Sequence, residues 1–258
     1  MNQLSNLLKV ERINDALIAA LKSVDELNWN RSVRNNKDLV PLARRISGYA
    51  SAALEGSSMP ADPRQDPDNS PMGKLSNSAL GLTAEIDFHL TSFTRTPLQT
   101  WARLHSFIDD SESRGRPRTN NEVVDPLHIG SPLPHELIED RLTGLVDLVT
   151  SSTAPALLIA AITHAELATI APFNVGSQLI ARATSRLVLQ SKNVDQLKLV
   201  MPEYGFYKIG RNSYAKGLIA YQSGTIDGVA EWVELHSQAI VIGSKNTDLL
   251  IQLQTPYI

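Results

Sequence analysis

The stretch from His164 to Arg182 reads HAELATIAPFNVGSQLIAR and joins two segments of apolar periodicity through a short turn. The first segment is predicted to end as a helix near Pro172, because proline disfavours helical angles in the residue before it. Gly176 permits a tight turn, and Ser177 is a residue type that favours the N-cap of a new helix. The stretch therefore predicts a helix, a turn and a fresh helix N-terminus.

Such an N-terminus suits an anion, because free backbone N–H groups and the positive end of the helix dipole converge there. Arg182 and Arg186 are four residues apart on one predicted face, so a guanidinium could reach a phosphate lying over the helix start. An ordinary helical hairpin with two solvated arginines fits the same spacing. Periodicity alone favours the ordinary hairpin.

The surrounding chain is predicted to be mainly helical. Its longest apolar stretch, residues 155–173, is interrupted by His164 and Glu166, so it indicates a buried central helix over 154–170 rather than a membrane span of about 20 apolar residues. Periodicity, prolines and glycines predict further helices at 10–24, 38–56, 77–108, 135–150, 177–191, 194–201, 211–222 and 226–243. Residues 57–76 are a loop by composition, and 122–130 is predicted as a small β-hairpin.

Composition narrows the class of protein. The 258 residues are 42% hydrophobic and 20% charged, which suits a globular chain, and no linker divides it, so a single domain over 1–258 is predicted. The chain has no cysteine, which excludes disulfides and thiolate metal sites and agrees with a cytoplasmic location. A net charge of −3 favours neither nucleic acid nor anionic lipid as a partner. The N-terminus shows no signal-peptide pattern.

The stretch 164–182 resembles the signature of the Fic (filamentation induced by cAMP, or Fido) family, HPFx(D/E)GNGRxxR, which many members precede by a histidine seven residues upstream. The matching residues are His164, Pro172, Phe173, Gly176 and Arg182. The sequence departs from the signature at five positions, where it has Ala171 for histidine, Val175 for the acid, Ser177 for asparagine, Gln178 for glycine and Leu179 for arginine.

Other motifs of the family follow in the same order. Ser51, Glu55 and Gly56 fit the inhibitory-helix pattern (S/T)xxxE(G/N). Residues 104–105, 115–118, 129–130, 211–218 and 232–233 resemble the LH, GxxR, IG, RxxYxxxL and W(I/L) elements. The resemblance implies a mainly α Fic/Fido fold, a helical bundle around a buried central helix with a β-hairpin flap. It places N-terminal helices in 1–76, with the inhibitory-like helix at 38–56, and the Fic core in 77–245.

The substitutions remove the chemistry that the resemblance implies. In Fic enzymes the signature histidine is the general base and the acid helps to hold magnesium on the nucleotide phosphates. Ala171 cannot accept a proton, and Val175 offers no oxygen to a hard cation. We therefore expect no catalytic residue and no Mg²⁺ site. ATP or another nucleotide is the candidate ligand of the matching residues that remain, namely Pro172, Phe173, Gly176, Ser177 and Arg182.

Glu55 is expected to pair with Arg182. An acid in the last turn of a helix faces the negative end of the dipole, which costs about 0.3–1 kcal/mol if it is exposed. The resemblance supplies a partner, because the inhibitory glutamate of the family pairs with the second signature arginine. We expect an ion pair that closes the remnant nucleotide pocket, with Ser51 and Gly56 completing the motif. An unpaired surface glutamate is the alternative.

Three functions stay open at this stage. The preferred one is a Fic-like protein that does not transfer nucleotides and acts by binding a nucleotide or an unidentified protein partner. A divergent nucleotidyltransferase with a non-standard site, and an oligomeric interaction module, are the alternatives. Neither a membrane nor a nucleic acid is expected as a partner. Residues 114–117 do spell RGRP, the core of a minor-groove AT-hook, but Asp109 and Glu112 lie just upstream and oppose phosphate.

Overall fold

The computed structural model describes residues 2–109 and 111–254, so the predicted domain limits at 1 and 258 lie outside it. These residues form thirteen α-helices, one short 3-10 helix (His135–Leu137) and no strand. The α-helices are α1 (Asn2–Leu7), α2 (Glu11–Asn28), α3 (Arg31–Arg34), α4 (Leu39–Leu54), α5 (Pro71–Phe93), α6 (Pro97–His105), α7 (Ile138–Ser151), α8 (Ala156–Ile170), α9 (Ser177–Ser191), α10 (Pro202–Ile209), α11 (Arg211–Gln222), α12 (Ile226–Lys245) and α13 (Thr247–Gln254). The predicted mainly helical class is confirmed.

Helix α8 is the buried centre of the fold, as predicted. All its residues are buried except Ala156, Glu166 and Thr169, because the segment is apolar on every side. It packs against α9 over its length and also contacts α2, α7, α11 and α12. Despite this apolar character, no helix among residues 2–109 and 111–254 is both long and apolar enough to cross a membrane.

The N-terminal helices bring the inhibitory-like segment to the core. Helix α4 lies between α5 and α10 and runs antiparallel along α9, from Gln190 beside Arg44 to Arg182 beside Ser51. Helix α5 starts with Pro71 in its first turn, and the Ser70 hydroxyl caps it by accepting the Gly73 N–H at 3.1 Å. The α4–α5 pair therefore supports the end of α4, where Glu55 follows the last helical residue.

The predicted β-hairpin at 122–130 is wrong, because this segment has no strand. Its backbone makes one turn bond within the segment, from His128 to Asp125, and otherwise pairs with another loop: the Val124 N–H donates to the Asn174 carbonyl at 2.7 Å. The Asn174 side-chain amide donates in turn to the Glu122 carbonyl at 2.6 Å. Pro126 lacks a backbone donor, and His128 has a positive φ of 55°, so a regular ladder cannot form here. The segment is an irregular flap.

Two predicted helices have different limits. The helix expected over 77–108 begins earlier, at Pro71, so the last part of the predicted loop 57–76 is helical. It is interrupted after Phe93, because Pro97 begins α6 and restricts the residue before it. Residues 194–201 are not helical, and the helix of this region is α10. Here the Asp195 carboxylate accepts the Leu199 N–H at 3.0 Å, a local bond that competes with helical pairing.

Candidate functional site

The loop 171–176 connects α8 to α9, and its backbone is specified at both ends. Ala171 ends α8 in a left-handed conformation, with φ 47°, and its N–H donates to the Leu167 carbonyl at 3.2 Å. At the other end Gly176 has φ 73°, and a Cβ there would lie 2.5 Å from Cγ2 of Ile108. Glycine is therefore required at 176 by both its backbone angle and the space. At 171 the side chain is a methyl group, which offers no proton acceptor.

Ser177 closes this loop instead of capping α9. Helix α9 begins at Ser177, and Gly176 occupies the N-cap position. The Ser177 hydroxyl accepts the Phe173 N–H and donates to the Phe173 carbonyl, both at 3.0 Å. The predicted N-cap role of Ser177 is therefore wrong. Its hydroxyl is already engaged in two hydrogen bonds within the loop.

His105, at the end of α6, packs against the loop 171–176. Its ring stacks on Phe173 with centroids 4.0 Å apart, and its Nε2 lies 3.1 Å from the Val175 carbonyl oxygen. The Gly115 N–H donates to Nδ1 at 2.9 Å, so Nδ1 is an acceptor and the proton belongs on Nε2. Burial lowers the pKa of His105, which keeps the ring neutral. The sequence marked His105 only as part of an LH element.

Arg118 satisfies the carbonyl groups at the C-terminus of α8. Its Nε donates to the Ala171 carbonyl at 2.7 Å and its Nη2 to the Ile170 carbonyl at 3.2 Å. Its backbone N–H donates to the Pro172 carbonyl at 2.8 Å. Helix ends leave carbonyls without partners, and here one arginine more than fifty residues away supplies them. Sequence reasoning missed this role, because it depends on a long-range contact.

The space between Ala171 and the flap is almost filled, whereas a separate cavity of about 620 Å³ is lined by Pro172 and Phe173. The flap packs over the start of α9 and leaves a cavity of about 10 Å³ between itself, Ala171, Ser177 and Gln178. Pockets for nucleotide-sized ligands measure about 300–1,000 Å³, whereas 10 Å³ is close to the lower limit for one water molecule. The side chain of Gln178 is buried, in the position where the signature has glycine. In this conformation the first turn of α9 is covered by protein.

Glu55 contacts Arg182, as expected. The Glu55 Oε1 lies 2.5 Å from the Arg182 Nη2, and the two side chains are 6% and 0% exposed. The Arg182 Nε also donates to the Ser51 hydroxyl at 2.7 Å, and its Nη2 donates to the Ser51 carbonyl at 3.2 Å. Burial alone lowers the pKa of Arg182, but the Glu55 carboxylate and Tyr214 offset it, and the pKa is raised. The Arg182 guanidinium is fully engaged by protein groups.

The network continues from Arg182 into the core. The Arg182 Nη1 donates to the Tyr214 hydroxyl at 3.3 Å, and that hydroxyl lies 2.7 Å from Nε2 of His164. Since Tyr214 accepts from the arginine, its own proton is free to donate to His164. Burial raises the pKa of Tyr214 to about 12, and burial lowers that of His164 well below its usual value. His164 is fully buried among Phe206, Trp232 and His236, so it is a core residue.

Arg186 does not face the start of α9, so the expectation that it could reach a phosphate there is wrong. Its guanidinium is fully buried and forms a two-point ion pair with Glu203, in which Nε is 3.2 Å from Oε1. It also donates to the Val200 carbonyl at 2.6 Å and to the Ser47 hydroxyl. Arg186 thus joins α9 to α4 and α10. Of the two arginines, only Arg182 lies at the site.

Metal ligands are sparse in this region. Val175 presents only its carbonyl, which is taken up by His105. Among residues 2–109 and 111–254 there is no group of three or more His, Cys, Asp or Glu side chains that could hold a metal ion. The candidate site is therefore the loop 171–176 covered by the flap, together with Arg182, which is paired with Glu55.

Solved structures of Fic proteins share this architecture. A Fic family protein from Desulfovibrio desulfuricans superposes with a TM-score of 0.72 at 16% identity, over 93% of this chain and 75% of that one. Fic-1 from C. elegans gives 0.64 at 17% identity, over 92% and 73%. A Fic domain containing signaling protein from Bacteroides thetaiotaomicron gives 0.58 at 15% identity, over 94% and 97%.

No protein-family model matches the sequence, and neither does any curated protein. At 15–17% identity the likeness to the three structures concerns the fold and not the activity. The chain therefore has the Fic fold.

Proposed function

We propose that this Fic-fold protein does not transfer nucleotides and acts as a binding protein. The observation that carries the proposal is the pairing of Ala171 with the closed cavity beside it. A general base must lie within hydrogen-bond reach of the proton that it removes, and its loss typically costs about 10²–10⁴ in rate. No side chain of the loop 171–176 replaces that base, because the Asn174 amide is bonded to the flap.

Two further substitutions also disfavour nucleotide transfer. Val175 supplies no carboxylate for magnesium, and Leu179 supplies no charge for the phosphates of a nucleotide. Stabilisation of developing charge is usually the largest contribution to catalysis, so these losses add orders of magnitude to the loss of the base. The remaining arginine, Arg182, has its donors directed to Glu55, Ser51 and Tyr214.

The same contacts disfavour nucleotide binding at the loop. A phosphate over the start of α9 would have to displace the flap from Gln178 and compete with Glu55 for Arg182. The Glu55–Arg182 pair is buried, so breaking it without a replacement leaves an uncompensated charge. We infer that this pair holds the remnant pocket closed, which is the role that the inhibitory-helix motif implies for Ser51, Glu55 and Gly56.

Amide NMR signals from the first turn of α9 test this inference at the site itself. Wild-type protein is titrated with ATP, ADP and AMP to millimolar concentration, with and without Mg²⁺, while the Gln178, Leu179 and Ile180 signals are followed. We expect no saturating shift. Saturating shifts would mean that the loop is a working nucleotide site and would refute the closed pocket.

Incubation with labelled nucleotides distinguishes a divergent nucleotidyltransferase from a protein that does not transfer nucleotides. Cell lysate is incubated with the protein and labelled ATP, UTP or CDP-choline, and the Arg182→Ala variant is the control. Label that depends on Arg182 would contradict the proposal and establish an enzyme with a non-standard site. Light scattering on the same preparation determines whether the bound partner includes a second copy of this chain.

A further inference from the structure

A basic surface cavity lies beside Gly115, which bonds His105, and outside the closed pocket between the flap and Ala171. It has a volume of about 520 Å³ and is formed where α6 meets the segment 111–118. Its lining residues are Gln99, Ala102, Arg103, Ser106, Arg114 and Gly115. Arg103 is in the last turn of α6, where a cation is favoured by the helix dipole, and Arg114 approaches from the opposing segment.

The arginines at this cavity have free donors. Arg103, Arg114 and the neighbouring Arg116 are exposed, and none forms an ion pair or a side-chain hydrogen bond within residues 2–109 and 111–254. Arg118, two residues further on, behaves in the opposite way, since its guanidinium is buried against carbonyl groups. Within the described residues, three guanidinium groups thus have N–H donors without a protein acceptor.

The segment that carries Arg114 is held rigidly against α6. The Gly115 N–H donates to Nδ1 of His105, and a Cβ on Gly115, whose φ is 73°, would lie 2.9 Å from the Ala102 carbonyl oxygen. The Arg114 N–H donates to the Ser111 carbonyl at 3.1 Å. Because this backbone is held in place, two arginines lie beside one cavity before a ligand binds. Less conformational entropy is therefore lost on binding.

No acid lines the cavity. The Asp109 carboxylate accepts the Ser111 N–H and hydroxyl at 2.9 Å and the Ser113 hydroxyl at 3.0 Å, so it serves the turn. Glu112 is exposed and has no ion pair within the described part of the chain. With Asp110 the segment 109–112 has three acids, which balance the three arginines in number, but the charged residues that line the cavity are arginines alone.

We propose that this cavity binds a small phosphate-bearing anion, with Arg103 and Arg114 donating to its oxygens. The guanidinium fork matches the geometry of phosphate oxygens and makes charge-assisted hydrogen bonds. Duplex DNA fits less well, because a minor groove about 6 Å wide has to receive the RGRP segment, and here Gly115 is held against α6. The ligand is therefore a small molecule with accessible phosphate groups.

The proposed anion site is linked to the 171–176 loop through His105, which accepts a hydrogen bond from Gly115. Gly115 follows Arg114 directly and donates to His105, which contacts Phe173 and the Val175 carbonyl. An anion held by Arg114 is thus expected to change the environment of the His105 ring. This gives a readout at a defined atom that simple charge screening does not move.

Inorganic pyrophosphate is the probe, measured by calorimetry and by NMR of the His105 ring. Arg103→Gln and Arg114→Gln are compared with Arg31→Gln, an arginine on α3 that is also exposed and has no ion pair in the described residues. Wild type and Arg31→Gln are expected to bind saturably within about twofold of each other. Each cavity variant is expected to raise Kd about tenfold or more, the loss of one charged hydrogen bond, and to abolish the His105 shift.

Several results would overturn the proposal: no saturable binding up to about 10 mM pyrophosphate, an equal loss in Arg31→Gln, or binding that leaves the His105 signals unchanged. A duplex of AT-rich DNA is the second arm. Tighter binding of DNA than of pyrophosphate, lost in Arg114→Gln, would assign the arginines to nucleic acid. The inference does not rest on the closed pocket, since Arg114→Gln leaves the loop contacts of Arg182 in place.

Discussion

Replacing Glu55 by glutamine removes the charge that balances Arg182 and keeps the shape of the side chain. Arg182 is completely buried and Glu55 is 6% exposed, so water cannot take over the lost interaction. Ser51 and Tyr214 still donate or accept neutral hydrogen bonds, but neither can balance a positive charge. The variant therefore leaves an unpaired buried cation.

Breaking a buried pair by removing one partner costs about 3–5 kcal/mol. For a chain of this size 1 kcal/mol corresponds to roughly 2–4 °C, so Tm is expected to fall by roughly 6–20 °C. Urea denaturation followed by circular dichroism gives the free energy of unfolding, and a thermal scan gives Tm.

Glu234→Gln is the matched control. Glu234 pairs with Arg12 at 3.3 Å, but both side chains are about 40% exposed, so we expect a change of less than about 1 kcal/mol. The double variant Glu55→Gln with Arg182→Met is expected to lose less than the sum of the two single losses. A loss below about 1 kcal/mol for Glu55→Gln would refute the claim that this pair holds the pocket closed.

Other predictions concern the histidines and the loop. Three buried histidines have lowered pKa values, namely His105, His164 and His236. Because the unfolded chain binds these protons near pH 6.5 and the folded chain resists them, stability is complete above that pH. It is then lost as the pH falls, by up to about 3 kcal/mol per unit for the two protons of the fully buried His164 and His236; equal urea midpoints at pH 7.5 and 5.5 would contradict this. Gly176→Ala is expected to lower the free energy of unfolding by at least about 2 kcal/mol, whereas Gly144→Ala, in open space on α7, raises it by up to about 1 kcal/mol. Ala171→Gly relieves a left-handed alanine and is expected to stabilise by about 1 kcal/mol; destabilisation in the urea assay would show that its methyl group packs usefully.

Local signals made much of the fold predictable. The apolar run of α8 and the Pro and Gly positions around it specify a buried helix and its end, and the structure has both. The pairing of Glu55 with Arg182 was also predictable, because the motif supplied a partner that periodicity alone could not. These features depend on the residues within one or two elements.

The parts that failed depend on distant contacts. The 122–130 segment has apolar residues suited to a hairpin, yet its backbone bonds are taken by Asn174, about fifty residues later. Arg118 carries no local sign that it would serve the carbonyl of Ala171. Ser177 looked like an N-cap because its residue type suits one, but the tight turn directs its hydroxyl to Phe173. Such choices are decided by tertiary packing.

Covalent transfer is the most direct test of the central claim. Purified wild-type protein is incubated with labelled ATP, Mg²⁺ and cell lysate, and all products are examined for a protein-bound nucleoside monophosphate. The Ala171→His variant is assayed alongside, and it too is expected to be inactive, because Val175 and Leu179 still withhold metal and charge. We expect no transferred nucleotide from either protein. A nucleoside monophosphate attached by the wild-type chain would contradict it.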